Sequence, residues 1–524
     1  MPTPTQFNKR LVYFIFLSVL VLGVQTIRIQ RPFLGHYASY QATVMASISR
    51  NMIQENFSDL LLPKTDLIIS GKKSLHLNQY PFPSLIAALG VKLFGGTLEF
   101  WGRFQAIICN LISALFLGLI ALRLFNEATA WLSVATFLLS PYTMIYGQAF
   151  MSESMALTFL LLAWFLLVRV EPKKLNLFNL ICAGISLSIS ITGRFHLILF
   201  YPLFALFLFL TQKEQRILKI VVFSLLSFAM PIGWYLHTYF ASLNQANVHT
   251  NLFFQATGQN AGADLLLKIK YWKKVFDIIS QMVLTPFLFP FFLLGFILGD
   301  RRKTGFWIAF GGIAFGLLTI LLASEKIMKH DFYLYGTFPF MALLTAHALD
   351  LISQKFPVLR TYRMGIFVTF LYFGVSSRFF LNPIFTVPSE SKNFLLAAKD
   401  VQLKTQPDNR IIVFGNDPAT TLYYSDRPGW LLQPNLIGTP LFSYQKHPLR
   451  GHRGLAEAQE LENAMKDPVS WFEYLKSQGA SYLVVPVKTE LDSVPQLLSY
   501  LKARSMRVSN ESEVFSLFDI RTNR

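Results

Sequence analysis

The chain is short of charge, of acid and of cysteine. Charged residues make up 15% of its 524 positions, against about 25% in an ordinary soluble protein, and that excludes a soluble globular enzyme. Its 29 Asp and Glu face 47 Lys and Arg, a net charge of +18. The two cysteines, Cys109 and Cys182, both lie inside apolar stretches, so neither a disulfide framework nor a thiolate metal site is available. Walker-type and dinucleotide-binding spacings are missing, and nothing supports a nucleotide-sugar or nucleotide-fuelled reaction. Low-complexity tracts and internal repeats are missing too, which removes the inverted-repeat signature of many transporters.

Apolar residues fill the space left. They are 53% of the chain, with 51 Phe, and they gather into runs of about 17–22 residues, the length that crosses a bilayer as a helix. The first, 11–27, follows Lys9 and Arg10 without a small-residue cleavage site after it, so it is expected as a retained helix. Others fall near 104–122, 128–146, 154–169, 175–192, 195–211, 217–237, 278–299, 305–323, 333–353 and 364–382. The expectation is about eleven transmembrane helices.

Placing the N-terminus in the cytoplasm makes every cytoplasmic connection basic: Arg123, then Arg169, Lys173 and Lys174, then Lys213, Arg216 and Lys219, then Arg301, Arg302 and Lys303, and last Lys355, Arg360 and Arg363. That is the asymmetry of an inner membrane face, so the positive charge marks topology and meets anionic lipid rather than nucleic acid. The pair 175–192 and 195–211 is separated by little more than Gly193 and Arg194. Fusion of the two would invert every later loop, and the basic loops argue against it.

The opposite side holds the long segments 28–103, 238–277 and everything after 383. In the first, 40–52 reads as an amphipathic helix and 83–94 as an apolar one, both expected in the interface plane. From about 388 the composition shifts to strand-like runs at 410–414, 481–485 and 513–517 between helical or polar stretches, the pattern of a small α/β domain. The expected fold is therefore an all-α polytopic membrane domain over 1–387, with interfacial helices in its first outer loop, and a soluble extracytoplasmic α/β domain over 388–524.

Ionisable groups at a membrane surface are costly and usually serve a site. Gly35-His36-Tyr37 follows the first span, with Arg50-Asn51 on the helix after it; Ser152-Glu153-Ser154 opens the span 154–169; Gly193-Arg194-Phe195-His196 sits between two spans; Glu325-Lys326 and Lys329-His330-Asp331-Phe332-Tyr333 precede another. Each has a plainer alternative: a polar cap for the first, a favourable helix-dipole position for Glu153, an outward-snorkelling Arg194, and simple loop polarity for the last.

The order of these features resembles the C-type integral-membrane glycosyltransferases, closest to the protein-mannosyltransferase and aminoarabinose-transferase group, which use polyprenyl-phosphate sugars. The residues that carry it are Gly35-His36, then Ser49-Arg50-Asn51, then Tyr80-Pro81-Phe82-Pro83-Ser84-Leu85-Ile86-Ala87-Ala88-Leu89 running into Leu93-Phe94-Gly95 and Trp101-Gly102-Arg103, and last Lys329-His330-Asp331-Phe332-Tyr333-Leu334 leading to Phe338-Pro339. The resemblance covers roughly residues 10–350. It implies that Arg194, in the place of a basic residue common in relatives, meets the lipid phosphate together with Lys329, His330 and Tyr333. Glu153 stands where relatives carry an acid after the third span, and Tyr37, Arg50 and Arg103 take acceptor-side or structural places.

One departure matters. Relatives carry an acid in the first outer loop close to the first span, but positions 28–54 contain none; Glu55 and Asp59 come later, and His36 stands near the expected place. Either His36 is the base, or Glu153 takes the role, or the chain is a non-catalytic relative. Displacing a phosphate from an anomeric carbon needs cations for the growing phosphate charge and a base for the acceptor proton. Arg194 and Lys329 suit the first task, Glu153 or His36 the second.

The sequence thus points to a hexosyl- or pentosyltransferase of the bacterial inner membrane, with a polyprenyl-phosphate-linked sugar as donor and a lipid, glycan or protein as acceptor. A transporter or flippase of lipid-linked sugars is the rival reading, although it would set its ionisable residues mid-span. No cofactor is assigned; a divalent cation stays open because a paired-carboxylate ligand pattern is missing. With the C-terminus outside, cysteines placed at Ser389 and Asn416 in intact cells react with a membrane-impermeant thiol reagent and one at Lys303 does not; reversed labelling overturns the orientation.

Overall fold

An apolar helix in lipid satisfies its own backbone polar groups, and that constraint dictates the elements seen here. The computed structural model describes residues 15, 17–27, 29–34, 39–69, 71–169, 175–244, 248–249, 263–356, 386–387, 389–416, 419–434, 460, 463–503, 508–511 and 514–521. The expected span at 364–382 lies outside them. Along the chain, α1 (Leu17–Thr26) is followed by α2 (Ser39–Gln54), strands β1 (Lys64–Ile69) and β2 (Lys72–His76), and α3 (Phe82–Phe94). Then come α4 (Leu98–Leu124), α5 (Glu127–Leu139), α6 (Pro141–Tyr146), α7 (Glu153–Val168), α8 (Leu177–Gly193), a 3₁₀ turn at Phe195–Phe200, α9 (Tyr201–Thr211) and α10 (Arg216–Asn244). After the short β3 (Val248–His249), the chain forms α11 (Ile269–Asp277), a π-helical turn at Ile278–Val283, α12 (Thr285–Leu298), α13 (Thr304–Leu322), α14 (Ser324–Lys329) and α15 (Phe338–Lys355). The tail holds α16 (Ser389–Lys404), β4 (Arg410–Phe414), α17 (Thr420–Ser425), β5 (Gly429–Leu432), α18 (Pro468–Ser477), β6 (Ala480–Val485), α19 (Pro495–Ala503), β7 (Val508–Glu511) and β8 (Ser516–Asp519).

Helices Leu98–Leu124, Arg216–Ser242 and Thr304–Leu322 are each long and apolar enough to cross a membrane, and Ile269–Val283 with Thr285–Leu298 makes a further apolar pair bent by 103°. The stretch expected as one span over 128–146 is broken. Pro141 lacks an N–H, and the Ser140 hydroxyl accepts the Tyr142 N–H at 3.2 Å, which restarts the helix as α6. Between α8 and α9 the break falls on Arg194, whose backbone is extended.

The chain divides into two compact units. One is formed by the described parts of Met1–Ile29, Arg103–Trp234 and Phe253–Phe385. Here α7 packs on α8, and α5, α12 and α13 pack on α15. Lipid tails are as apolar as the helices, so association depends on close approach. Gly295 of α12 supplies it: a Cβ there would stand 2.7 Å from the Leu344 carbonyl oxygen of α15.

The second unit takes the described parts of Gln30–Gly102, Tyr235–Leu252 and Thr386–Arg524. Its sheet runs in the order β3-β2-β1-β5-β4-β6-β8-β7, parallel at β1/β5, β5/β4 and β4/β6 and antiparallel at β6/β8 and β8/β7. The run Ile411–Phe414 is buried throughout, as the centre of a sheet covered on both faces requires. Ile412, Phe414, Leu483 and Val485 face Trp471, Phe472, Leu497 and Leu501, while Ile411, Val413, Val484 and Leu517 face Ala397, Val401 and Leu422. The runs 410–414 and 481–485 were legible as strands; the third lies three residues further on, at Ser516–Asp519. Strands β1 and β2 come from the segment 28–103, and Leu67 pairs with Gly429 of β5.

Of the two helices expected in the interface plane, α3 exposes Leu93 and Phe94, at 69% and 75%. By contrast α2 is buried from Ala42 through Ser49, because α3, β1 and α17 pack around it. Replacing Gly295 by Ala should lower stability by about 1–3 kcal/mol through overpacking, whereas Gly233→Ala, whose Cβ meets nothing within 4 Å, should not. Thermal unfolding of the purified protein in detergent distinguishes the two.

Candidate active site

Four helix ends of the first unit build the site. The N-terminus of α7 favours an acid in its first turn, and Glu153 is that acid. Antiparallel to it, α8 ends at Gly193, and the Ser190 hydroxyl donates to the Ala156 carbonyl at 2.7 Å, so the start of α7 lies beside the end of α8. Arg194 leaves the helix with φ −148° and ψ 98°, which turns its side chain off the helix axis. The guanidinium thereby meets the Glu153 carboxylate in an ion pair, with Glu153 4% and Arg194 8% exposed. No other side chain among the described residues hydrogen-bonds either group. The Phe332 ring centroid lies 5.5 Å from the guanidinium carbon, a cation–π contact.

Phe332 belongs to the 3₁₀ turn Asp331–Leu334, and two phenols hold that turn. Tyr142 and Tyr146, one helical turn apart on α6, are both buried. Tyr142 donates to the Asp331 carbonyl at 2.7 Å, and Tyr146 donates to the Asp331 carboxylate. Tyr335 donates to Asn110 Oδ1 at 2.9 Å. The His330 ring stacks on Phe332 at 5.1 Å, and His196 lies 4.9 Å from the Tyr333 ring. A buried cation, two buried or half-buried carboxylates and an aromatic platform are thus gathered at the ends of apolar helices.

Among the residues singled out from sequence, Glu153, Arg194, His330 and Tyr333 come together here. Lys329 ends α14 next to them, its side chain outside the described residues, and His36 and Tyr37 also lie outside them. Arg103 is buried and donates to the Ile29 carbonyl at 3.4 Å. Arg50 belongs to the second unit, where it donates to Asp66 at 2.5 Å and to the Tyr423 carbonyl at 2.6 Å and pairs with Asp426 at 3.1 Å. Alongside it, the Tyr424 hydroxyl accepts the Phe33 N–H at 2.7 Å and donates to Glu99 at 2.9 Å. Burial first, and then the Glu99 carboxylate, push that phenol up, so it remains a donor.

Sequence reasoning passed over Tyr142, Tyr146 and Asn110, whose signal was the Ser-Pro interruption followed by two tyrosines at helical spacing. It also passed over Asp66, a buried carboxylate of β1 that Arg50 neutralises. Glu55 is held by Lys64 at 2.9 Å. Among the described residues no three His, Cys, Asp or Glu side chains converge as a metal ligand set, and none is assigned.

Removing one partner of a buried ion pair strands the other charge, at a cost of about 3–5 kcal/mol, whereas removing both is often neutral. Arg194→Met should therefore be less stable than Arg194→Met combined with Glu153→Gln. Thermal unfolding of both variants reads the difference; equal losses would mean that water screens the pair.

Residues 78–235 match the family described as dolichyl-phosphate-mannose-protein mannosyltransferase. A search of curated protein sequences finds no match. Among solved structures, the chain is similar to ArnT from Cupriavidus metallidurans in its apo state, with a TM-score of 0.62 at 14% identity over 96% of this chain and 97% of that one. The same ArnT bound to undecaprenyl phosphate gives 0.61 at 12% identity, covering 97% and 98%. The oligosaccharyltransferase of Archaeoglobus fulgidus gives 0.59 at 11% identity over 90% of this chain and 67% of that one. By fold and by its matched segment the protein is a membrane protein, similar over 78–235 to that mannosyltransferase family and sharing its fold with ArnT and the Archaeoglobus fulgidus oligosaccharyltransferase.

Proposed function

We propose that the protein is an integral-membrane glycosyltransferase that moves a hexosyl or pentosyl group from a polyprenyl monophosphate carrier to a lipid, glycan or protein acceptor at the outer face of a bacterial inner membrane. The observation that carries this is the Arg194–Glu153 pair, buried at a helix break in a fold whose ArnT example has been solved with undecaprenyl phosphate bound. A second relative of this fold, AglB from Archaeoglobus fulgidus, has been solved with an inhibitory peptide and a dolichol-phosphate. The family segment and the fold do not favour transport.

The proposed arrangement spans the membrane about eleven times, with the N-terminus inside and the tail from 388 as an extracytoplasmic α/β domain. In it, Arg194 exchanges partners. An incoming phosphate draws the guanidinium from Glu153, with Lys329, His330 and Tyr333 around the same oxygens, and the released carboxylate becomes free to take a proton. The acceptor oxygen or nitrogen then bonds to the anomeric carbon and gives its proton to Glu153. The bond from that carbon to the phosphate oxygen breaks, its electron pair leaves with the polyprenyl phosphate, and the guanidinium stabilises that charge. His36 orients the acceptor or shares the proton. Arg50 and Arg103 act structurally, supported by their buried contacts, and Tyr37 takes an acceptor-side role.

Removal of a general base costs about 10²–10⁴-fold in rate. Glu153→Gln should lose turnover on that scale while retaining donor binding, and His36→Asn should lose less. The assay follows sugar transfer from polyprenyl-phosphate sugars in vesicles, with the acceptor class identified by comparing masses of lipid A, surface polysaccharide and exported proteins after gene deletion. Parental rates in both variants would refute the assignment of the base, and unchanged masses after deletion would refute the reading as a transferase.

A further inference from the structure

The helix α11 divides into three faces at 100° per residue. Tyr271 and Val275 form one, buried at 1% and 5% exposure. Ile269, Trp272 and Phe276 form a second, equally apolar, yet exposed at 85%, 41% and 54%. The third carries Lys270 and Lys273, with Asp277 between them at the helix end, where it accepts from Gln281, and with Lys268 and the 86%-exposed Leu267 just before the helix. None of these three lysines has an ion-pair partner among the described residues, whereas Lys274 donates to the Met328 carbonyl at 2.5 Å.

An apolar face left in water beside a buried one is unfavourable and needs a cover. The backbone says what supplies it. The segment Ile269–Val283 meets Thr285–Leu298 at 103°, so where α12 crosses the bilayer, α11 runs along its surface. The bend is built rather than incidental: Thr285 sits there at φ +59°, a conformation that a β-branched residue adopts only under constraint. An exposed apolar face, a basic edge and an axis in the membrane plane are the attributes of an interfacial helix.

We propose that α11 is an interfacial anchor that buries Ile269, Trp272 and Phe276 at the acyl boundary and takes anionic phospholipid headgroups with Lys268, Lys270 and Lys273. Its protein-facing side is tied to the elements that carry the site. Tyr271 donates to the Ile320 carbonyl at 2.5 Å, and the Lys274 contact lands on Met328, one residue before Lys329. The depth of the anchor therefore sets the height of the segment 329–333 relative to the headgroups. This inference is independent of which group acts as base.

The test uses the full chain with Cys109 and Cys182 replaced by Ala and a nitroxide attached at Phe276→Cys or Lys270→Cys, in nanodiscs of phosphatidylcholine alone or with phosphatidylglycerol. The Phe276 label should be accessible to oxygen and shielded from a water-soluble nickel chelate, and the Lys270 label the reverse. Phosphatidylglycerol should deepen the Phe276 label. Since each lysine near an anionic surface is worth about fivefold in binding, replacing Lys268, Lys270 and Lys273 by Gln should abolish most of that deepening while leaving thermal unfolding unchanged. A Phe276 label open to nickel in both lipids overturns the anchor, and equal depth in both lipids, or a shift that survives the triple replacement, overturns the recognition of anionic headgroups.

Discussion

A guanidinium and a carboxylate buried together at the end of apolar helices constrain everything around them. Either charge alone would cost several kcal/mol in desolvation, so α7 has to begin where α8 stops, and α8 has to stop. The extended backbone of Arg194 meets both demands. It ends the helix one residue after Gly193 and swings the cation toward Glu153 instead of along the axis into lipid. The same break keeps α8 and α9 from merging into one helix. A pair held this way has no other side-chain hydrogen bond among the described residues, and the proposed exchange draws on the larger number of acceptor oxygens that a phosphate offers a guanidinium than one carboxylate does.

The second unit solves a different problem, that of joining segments far apart in sequence. Arg50 is its junction: one guanidinium meets Asp66 of β1, Asp426 after α17 and the Tyr423 carbonyl, with the Tyr423 ring 4.7 Å from its carbon. Strand β1 meanwhile extends the sheet of the tail through β5. The segment 28–103 and the tail therefore contribute strands to one sheet. Arg50 thus meets both Asp66, which is buried, and Asp426, which stands at a left-handed turn with φ +53°.

Much of this was legible in the sequence, and the reasons for the remainder are physical. Apolar runs without polar interruption could only be helices, and Ile411–Phe414, apolar on both faces, could only be a central strand. Glu153 and Arg194 stood out because charge at the end of an apolar run is rare, yet their pairing depends on helix packing that no local pattern encodes. The strand Lys64–Ile69 was invisible because Lys64, Thr65 and Asp66 interrupt any alternation; pairing with the distant β5 makes it a strand. Likewise the burial of α2 follows from partners supplied by α3, β1 and α17, whereas its own sequence reads as an amphipath suited to an interface.

The helix ends of the first unit share one further logic. Each leaves carbonyls without an intrahelical partner, and in a membrane those must be met by protein. Tyr271 meets Ile320 at the end of α13, Lys274 meets Met328 near the end of α14, Tyr142 meets Asp331, and Ser140 donates to Val283 at 2.7 Å, tying the break before α6 to the bend before α12. In every case the donor is a side chain from another segment, so the break before α6, the bend before α12, the end of α14 and the turn at Asp331 are tied to their neighbours by side chains. The Arg194 and Glu153 side chains, by contrast, hydrogen-bond only each other among the described residues, and in the proposed reaction that pair is what an arriving phosphate opens.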